Sequence, residues 1–580
     1  MCGVAGILGR MEQRKDTMKG MLQIQRHRGP DAEGIWSDAN IILGHNRLSI
    51  IDLSNAANQP MLSSCGRYVI VFNGEIYNYL EIKQELQNKY QFNTNSDTEV
   101  ILNSYKAWGI SMLNRFIGMF AFALWDKQDQ KLLLVRDRFG VKPMYYTFKD
   151  NTLVFASEIK TLWTAGTEKQ VNLKVWANYF DHGSYGLPDE TFWKGIHQLP
   201  GGHYIELNYN EEVALKGHCI SLIRWYDFVR NIENTPNYSL STLNEIYSQL
   251  LADSIKLRFR SDVPVGFNIS GGLDSSILLS QVKRFFPHQN SIQAFTFYTG
   301  HPDYDELTWV KQMISQTGCS LNTCLLKPDE VPALFDKVSL HEDEPFGGVP
   351  TLAYSKIFAK AKENGIKVLL DGQGMDEAWA GYDYYRSSSD ATIQGVNVNP
   401  FVNKVMKESL AKHVNKDTYP KPFESELQNK QFRDLLYTKI PRALRFNDRI
   451  SMMYSTELRE PFLDHRLVEL AFAQPDQVKL SGDSGKALLR VWANEWMGKE
   501  LSVAPKRPLQ TPQREWMGHE LKPWVKSQLS LIPVDSQFLD SQGITEAYEQ
   551  YCSGEDSSSF HLWQWISFSH LSSVKIDIPI

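Results

Sequence analysis

Residues 263–276 read VPVGFNISGGLDSS, and this segment decides the fold of the second half of the chain. Its first seven residues are mostly apolar and predict a strand. The two glycines predict a tight loop, and a stretch with helical periodicity runs from Asp274 to residue 285. A second strand, residues 366–370, leads into another glycine loop at 371–374. Strands that alternate with helices indicate an α/β domain with a parallel sheet, whose ligands bind at the carboxyl ends of the strands.

The first 205 residues follow a different pattern. Apolar segments at 68–72, 119–125 and 132–135 are separated by Asn, Asp and Gly, which indicates an α+β domain of stacked antiparallel sheets. An Asn-rich stretch at 206–238 is interpreted as a linker. The predicted organisation is therefore an N-terminal domain over 2–205, a linker over 206–238 and an α/β domain over 239–580 whose last part is largely helical.

Length and composition limit the class of protein. A chain of 580 residues exceeds the roughly 250–300 residues of one core, so at least two domains are expected. Lys and Arg number 61 against 67 Asp and Glu, and a net charge of −6 does not favour a nucleic-acid partner. No apolar run reaches the ~20 residues of a membrane span, and the N-terminus lacks the basic start of a secretory signal. We expect a cytoplasmic protein without a membrane or nucleic-acid partner.

The six cysteines do not form a disulfide pattern or a zinc motif. Cys319 and Cys324 are expected to be packed thiols. Cys2 differs, because removal of the initiator Met would give it a free α-amine. The amine, with an ordinary pKa near ~8, can accept the thiol proton, so that one residue carries both nucleophile and base. A buried cysteine without chemistry is the alternative.

The glycine loop at 270–276 also has a chemical interpretation. Backbone N–H groups at the start of a helix attract anions, and glycine lets phosphate approach the backbone closely. The loop is not a Walker A motif, because the lysine of that motif is absent. Alternatively, Asp274 or Ser275 is simply the N-cap of the helix.

The N-terminal domain resembles the class II glutamine amidotransferases, which are N-terminal nucleophile hydrolases. The resemblance covers nearly all of residues 2–205, and five motifs occur in the order of the family. They are CGVAGI at 2–7, HRGPD at 27–31, HNRLSIID at 45–52, NGEIYN at 73–78 and SDTE at 96–99. Two more matching segments, 136–146 and 155–160, are expected to shape the domain and the ammonia route.

The resemblance implies a role for each motif. Cys2 would attack the side-chain amide of glutamine, and Asn73 with the Gly74 N–H would form the oxyanion hole. Planar Arg47 suits the substrate carboxylate, and Asp97 and Glu75 suit its ammonium group. The implied glutamine-binding residues are Arg47, Leu48, Ser49, Ile50, Ile51, Asn73, Gly74, Glu75 and Asp97. Taken alone, Asn73-Gly74 could be a hairpin turn, and Arg47 or Asp97 part of a surface ion pair.

The glycine loop resembles the pyrophosphate-binding loop, or PP-loop, of enzymes that cleave ATP to AMP and pyrophosphate. Joined to a class II glutaminase, it is similar to the glutamine-hydrolysing asparagine synthetase family over most of the chain. Further matches are LLDGQGMDE at 369–377, DR at 448–449, ELREPFLD at 457–464 and GKALLR at 485–490.

This second resemblance implies ATP and Mg²⁺ as cofactors. Asp274 and Asp376 would be the Mg²⁺ ligands, and Lys486 would contact the phosphates as a catalytic residue. The alternatives are a helix-start carboxylate for Asp376 and a solvated helix lysine for Lys486. The implied ATP-binding residues are Ile269, Ser270, Gly271, Gly272, Leu273, Asp274, Ser275, Phe297, Asp371 and Gly372.

The sequence favours a reaction in which ammonia from glutamine passes through an internal channel to an adenylated carboxylate. The simplest acceptor is aspartate. The resemblance also allows a homodimer. Gln373 departs from the Glu of well-studied asparagine synthetases, and Gln cannot be a general base. A different acceptor, such as a uronic-acid sugar, is therefore a second hypothesis. Two further hypotheses remain. The chain could be a non-enzymatic homologue, or it could be a glutaminase joined to a phosphoribosyltransferase or a sugar-phosphate isomerase. Residues 341–348 are either part of the acceptor pocket or a solvated acidic loop.

Overall fold

A computed structural model describes residues 2–149, 151–209, 220–236, 238–286, 292–387, 400–401, 405–482, 484–502, 511–555 and 558–573. Residues 210–219 and 237 of the predicted linker lie outside the described residues. The N-terminal part contains two antiparallel sheets and the C-terminal part a parallel sheet with helices, which confirms the predicted fold class. Among the described residues, no helix has the length and apolar character needed to cross a membrane.

The first sheet has six strands in the spatial order β10-β8-β9-β1-β3-β2. Its central strand begins directly after Cys2, so the predicted nucleophile lies at the end of a fully buried strand. The strands are β1 (Gly3–Leu8), β2 (Ala32–Ser37), β3 (Ile41–Arg47), β8 (Tyr145–Lys149), β9 (Thr152–Ala156) and β10 (Ile196–Gln198).

The second sheet has the order β12-β11-β7-β6-β5-β4. Val69 and Val71 pack towards the first sheet, whereas Ile70 and Phe72 pack towards a helix that contains Val100. Both faces are thus covered, which is why these strands read as continuous apolar runs. The strands are β4 (Met61–Leu62), β5 (Tyr68–Ile76), β6 (Gly118–Asp126), β7 (Lys131–Arg136), β11 (His203–Asn208) and β12 (Ile223–Arg224).

The helices of the N-terminal part include one that positions a predicted site residue. Ser96 caps this helix, because its hydroxyl accepts a hydrogen bond from the N–H of Thr98, and Asp97 therefore lies in the first turn. The helices are α1 (Arg14–Ile24), α2 (Tyr79–Leu86), α3 (Asp97–Trp108), α4 (Ile159–Thr164) and α5 (Leu173–His182).

The third sheet is parallel, with the order β15-β14-β13-β16-β17. Its edge strand β17 is fully buried, because it faces the N-terminal part. The strands are β13 (Val265–Asn268), β14 (Gln293–Tyr298), β15 (Ser320–Leu325), β16 (Val368–Leu370) and β17 (Glu457–Arg459), and β18 (Leu480–Ser481) pairs separately with β19 (Ser484–Gly485).

Helices cover this sheet and form the C-terminal part. The predicted helix after the glycine loop begins at Leu273. The helices are α6 (Phe228–Glu233), α7 (Leu240–Arg258), α8 (Leu273–Phe285), α9 (Leu307–Thr317), α10 (Val331–Glu342), α11 (Val349–Glu363), α12 (Met375–Ala378), α13 (Glu408–Ala411), α14 (Glu426–Leu436), α15 (Lys439–Met452), α16 (His465–Phe472), α17 (Asp476–Lys479), α18 (Ala487–Met497), α19 (Lys499–Ser502), α20 (Gln513–Gly518), α21 (Lys522–Leu529), α22 (Ser541–Ser553) and α23 (Phe560–Ser573).

The structure decides several local interpretations that the sequence left open. Asn73 and Gly74 lie inside strand β5, so the alternative interpretation of these two residues as a hairpin turn is wrong. The N-cap role of Asp274 or Ser275 is also wrong, because the N-cap of α8 is Gly272 and no side chain caps the helix. Cys319 and Cys324 are both buried, as expected of packed thiols. The domain boundaries remain predictions.

Candidate active sites

Cys2 is held by Asn73 in the N-terminal part. The Cys2 backbone N–H donates to Asn73 Oδ1 at 2.9 Å. This contact fixes the Asn73 amide, whose buried Nδ2 has no hydrogen-bond partner among the described residues. A buried donor without a partner is costly, so the site is prepared to accept an oxygen from outside. Burial raises the pKa of the Cys2 thiol, although the Leu48 N–H and Arg47 lower it.

A cavity of about 320 Å³ opens beside Cys2. It brings together most of the residues that the sequence analysis assigned to glutamine, although Ser49 and Asn73 are not in its lining. The assigned residues that line it are Cys2, Arg47, Leu48, Ile50, Ile51, Gly74, Glu75 and Asp97, and Ala57, Gln59, Phe72, Ser96 and Thr98 complete it.

Arg47 organises one wall of this cavity. Its guanidinium donates to the Ser54 carbonyl at 2.7 Å, to Asn58 Oδ1 at 2.8 Å and to the carbonyl of Asp52. Arg47 and Asp97 are both buried, so the surface ion-pair interpretation is wrong. Arg47 thereby supplies positive charge to the cavity and holds the loop that forms its wall.

Asp97 and Glu75 form the acidic side of the cavity. Asp97 Oδ2 accepts a hydrogen bond from the N–H of Ile76 at 2.9 Å. Burial raises the pKa of Asp97 to about 6, and the neighbouring Glu457 adds to the rise. Burial also raises the pKa of Glu75 well above its usual range, and Glu457 and Asp97 raise it further. Two desolvated carboxylates side by side suit a cationic group.

Gln59 is a lining residue that the sequence analysis missed. Its Oε1 accepts from the N–H of Phe72 at 2.6 Å, and its Nε2 donates to Thr98 Oγ1 at 3.2 Å, which ties the cavity wall to strand β5 and helix α3. Thr98 lies within the recognised SDTE motif and could have been named. Gln59 follows no recognised motif, and only the packing of the chain brings it to the site.

The raised pKa of Asp97 predicts a pH dependence. A carboxylate loses its charge as the pH falls through its pKa, so a value of about 6 places this loss well above that of an ordinary aspartate. We expect kcat/KM for glutamine hydrolysis to fall about tenfold per pH unit below about pH 6. The measurement is glutamate release between pH 4.5 and 8. A profile that stays flat down to pH 4.5 would contradict the assignment.

The second site is a cleft of about 1060 Å³ at the carboxyl ends of strands β13, β14 and β16. Most of the residues assigned to ATP line it, whereas Gly271, Gly272 and Leu273 do not. The assigned residues in the lining are Ile269, Ser270, Asp274, Ser275, Phe297, Asp371 and Gly372, and Asp376 and Gln373 also line it. Gly271 has a φ of +75°, and a Cβ there would press against Trp309 and Val310, so the loop requires glycine at this position.

Lys486 links the two carboxylates assigned to the metal. Its Nζ lies 2.5 Å from Asp274 Oδ1 and 2.6 Å from Asp376 Oδ1. Although burial lowers the pKa of Lys486, these two carboxylates outweigh that effect and raise it. Lys486 is buried, so the interpretation as a solvated lysine is wrong. Asp376 lies in the first turn of α12, as the helix-start alternative expected, and it also faces Lys486.

Oxygen donors that converge on a positive charge have the chemistry that Mg²⁺ requires, so the residues fit that ion. Here the Lys486 ammonium provides the charge that the two carboxylates share. The described residues contain no group of three or more His, Cys, Asp or Glu side chains that could hold a metal on its own. The remaining ligands of a Mg²⁺ ion would be water and phosphate oxygens.

Gly381 provides the space through which Lys486 reaches the cleft. A Cβ at this position would overlap Asp376 Oδ1 and Lys486 Cε. We expect Gly381→Ala to displace the ammonium and to reduce ATP-dependent pyrophosphate release by about 100-fold. Glutaminase activity should be unchanged. Gly365→Ala is the control for loss of a glycine, because a Cβ there meets nothing within 4 Å, although its φ of +70° costs some stability.

Asn268 and Tyr354 are cleft residues that the sequence analysis did not single out. Asn268 Nδ2 donates to Asp371 Oδ1 at 3.0 Å and to the Tyr354 hydroxyl at 2.6 Å, which fixes the carboxylate beside the glycine loop. Asn268 lies in the quoted segment and is a polar residue in an apolar strand, a signal that could have identified it. Tyr354 lies on helix α11, far along the chain, and no local signal marks it.

Several recognised motifs meet at the boundary between the two parts. The Arg28 guanidinium donates to the Cys2 carbonyl at 3.0 Å, to Glu158 at 2.9 Å and to both oxygens of Asp448. Arg449 lies 3.3 Å from Glu158. Removal of one partner from a buried ion pair costs about 3–5 kcal/mol. These motifs therefore connect the strand that carries Cys2 to helix α15 of the other part.

Residues 341–348 belong to the same boundary. Glu342, Asp343 and Glu344 are buried, so the solvated-loop interpretation is wrong. Asp343 pairs with Lys160 at 3.2 Å and Glu344 with Arg445 at 2.9 Å. None of residues 341–348 lines the cleft, so the structure gives no support to a place in the acceptor pocket.

Two family models match the two parts of the chain and give its class, a glutamine amidotransferase joined to a synthetase. A model described as "Glutamine amidotransferase domain" matches residues 1–217, and one described as "Asparagine synthase" matches residues 247–573. The second match spans more than half of the chain, and the chain belongs to the asparagine synthase family. It is therefore a ligase that uses glutamine for amidation, and its synthetase domain implies the use of ATP.

Curated relatives agree with this assignment. The chain is 27% identical to Asparagine synthetase [glutamine-hydrolyzing] 1 of Bacillus subtilis, across all of this chain and 97% of the relative. It is 32% identical to Asparagine synthetase [glutamine-hydrolyzing] 2 of the same organism, across 88% of this chain and 71% of the relative. It is also 29% identical to Amidase chry2 of Gibberella zeae, across 67% of this chain and 60% of the relative.

Proposed function

We propose that this enzyme hydrolyses glutamine at Cys2 and transfers the ammonia to a carboxylate that it activates with ATP. The observation that carries the proposal is the presence in one chain of a cavity beside Cys2 and a separate cleft beside Asp274 and Lys486. A carboxylate is a poor electrophile. Transfer of AMP to one of its oxygens provides a leaving group, and ammonia can then displace AMP.

In the first half-reaction the Cys2 thiol attacks the amide carbon of glutamine. The α-amine that is exposed when Met1 is removed accepts the thiol proton and passes it to the departing ammonia. Asn73 Nδ2 and the Gly74 N–H would stabilise the oxyanion. Arg47 binds the substrate carboxylate, while Asp97 and Glu75 bind its ammonium group. Water then hydrolyses the thioester and releases glutamate.

This mechanism needs the free α-amine of Cys2. Intact-mass measurement of active protein should therefore find Met1 absent.

We infer that ammonia passes between the two sites along the boundary of the two parts, where a small cavity lies. The cavity is lined on one side by Tyr77, Met119 and Val141 and on the other by Glu460 and Leu463. Ammonium in bulk water is not a nucleophile, so a route that keeps ammonia neutral favours the second half-reaction.

In the second half-reaction the helix α8 terminus and Lys486 hold the phosphates of ATP. Mg²⁺, held by Asp274 and Asp376, would neutralise charge on pyrophosphate as it departs. Lys486 supplies a second positive charge at the same place. Charge neutralisation of this kind is worth a few kcal/mol in a desolvated site.

Aspartate is the acceptor that we propose, with asparagine as the product. The names of the two Bacillus subtilis relatives support it. The cleft is lined by Asp305, Glu306 and Glu377, which would accommodate the amino group of an amino acid. Gln373 and the amidase-named relative favour a different carboxylate, such as a uronic-acid sugar.

A pyrophosphate-release assay separates these acceptors. Aspartate, glutamate, glucuronate and a nucleotide-linked glucuronate are each supplied with ATP, Mg²⁺ and glutamine. Release with aspartate alone, together with formation of asparagine, is the expected result. Release with a sugar acid and none with aspartate would replace aspartate by the sugar acid as the acceptor.

A further inference from the structure

The synthetase part places charged side chains next to Glu75, a residue that lines the glutamine cavity. Strand β17 is the edge of the parallel sheet nearest the N-terminal part, and its charged residues Glu457 and Arg459 are fully buried. A charged side chain is rarely buried unless it is paired. The partners of Arg459 are therefore informative.

Most of the Arg459 guanidinium is held within its own part. Its Nε donates to Glu457 Oε1 at 2.5 Å, and its Nη1 donates to the carbonyls of Arg258 and Arg260 at 2.7 Å each. These contacts fix the plane of the guanidinium and aim Nη2 away from the parallel sheet. The side chain is thus rigid before it meets the other part.

The remaining nitrogen approaches Glu75, which lines the glutamine cavity. Arg459 Nη2 lies 3.5 Å from Glu75 Oε1. Neither Nη2 nor Glu75 Oε2 has a hydrogen-bond partner in the part of the chain that the structure describes. Glu75 Oε2 is thus a buried acceptor without a donor, at the position assigned to the substrate ammonium.

We propose that Arg459 and Glu457 are positioning residues for the glutamine site, which the synthetase part supplies from behind Glu75. Arg459 holds the Glu75 carboxylate in place and favours its ionised form, whereas Glu457 opposes ionisation of Glu75 and Asp97. The inference rests on the proposed role of the Cys2 cavity in glutamine hydrolysis. The position and charge of Glu75 in the glutaminase pocket then depend on strand β17.

The electrostatic balance at Glu75 supports this arrangement. Arg459 lowers the pKa of Glu75, and Glu457 raises it. Glu457 also raises the pKa of Asp97. Among the described residues, the titratable and charged groups that face Glu75 are Asp97 on α3, Glu457 and Arg459 on β17, the Cys2 thiol and Tyr79 on α2.

The test measures the pH profile of kcat/KM for glutamine in three variants at positions 457 and 459. The acidic limb of this profile is the fall in kcat/KM as the pH decreases. Arg459→Gln removes the cation, so the acidic limb should move up by about one pH unit and the glutamine KM at pH 7 should rise about tenfold. Glu457→Gln removes an anion and should move the limb down by a similar amount. Arg459→Lys keeps the charge and should restore part of the effect, and it remains informative if Arg459→Gln does not fold.

Glu81→Gln is the matched control. It breaks an ion pair at the same boundary, but Glu81 pairs with Arg260, whereas Arg459 pairs with Glu75. Its pH profile should be that of the wild type, and ammonia-dependent synthesis at pH 8 should be unchanged in every variant. Shifts in the same direction for Arg459→Gln and Glu457→Gln, or no shift in either, would overturn the inference. Loss of the proposed function itself would appear differently, as a wild-type protein without glutaminase activity.

Discussion

Cys2→Ala is expected to reduce glutamine-dependent synthesis by at least about 1,000-fold while ammonia-dependent synthesis continues at the wild-type rate. The thiol is the proposed nucleophile, and no other cysteine of the described residues lines the cavity. In the proposed mechanism the acceptor is activated in the separate cleft beside Asp274. Product formation with glutamine and with ammonium chloride measures the two activities.

Cys65→Ala is the control for this experiment. Cys65 is exposed and outside both sites, so both activities should persist. Loss of ammonia-dependent synthesis in Cys2→Ala would show that the half-reactions are not separable. The contacts from Cys2 through Arg28 to Asp448 connect the two parts, but the alanine change keeps the backbone carbonyl that Arg28 binds.

Asp274→Asn is expected to reduce ATP-dependent pyrophosphate release by about 100-fold or more and to leave glutaminase activity intact. The change keeps the shape of the side chain but removes one of the two negative charges that face Lys486. It therefore weakens the proposed Mg²⁺ site and leaves Lys486 with a single carboxylate. Pyrophosphate and glutamate are measured in the same reaction.

Asp253→Asn provides the comparison, because Asp253 pairs with Arg466 outside the cleft. It should leave both rates within about twofold of the wild type. Equal loss of pyrophosphate release in the two variants would indicate general destabilisation. Full activity in Asp274→Asn would remove Asp274 from the proposed metal site.

The sequence was sufficient for the class of fold and for the local geometry of the loops. The order of five short motifs predicted the N-terminal domain, and the segment around 270–276 predicted a strand, a loop and a helix that the structure contains. Helix and strand limits could be predicted because they follow from apolar spacing and from glycine, which act over a few residues.

Sequence reasoning was wrong where burial decided the outcome. Glu342 and Glu344 look like members of a solvated loop, yet both are buried at the boundary between the two parts. Gln59 was missed because no motif contains it. Such positions depend on which surfaces pack together, and a local pattern does not contain that information.

The sequence by itself indicated the two proposed chemistries, because the motifs assigned to the nucleophile, to its oxyanion donors and to phosphate binding are each short and contiguous. Only the tertiary structure decided how they are joined. It brought Arg28 to Asp448 across 420 positions of the chain and placed Arg459 beside Glu75. The physical reason is that a buried charge must find its partner in space, and the partner here is supplied by the other half of the molecule.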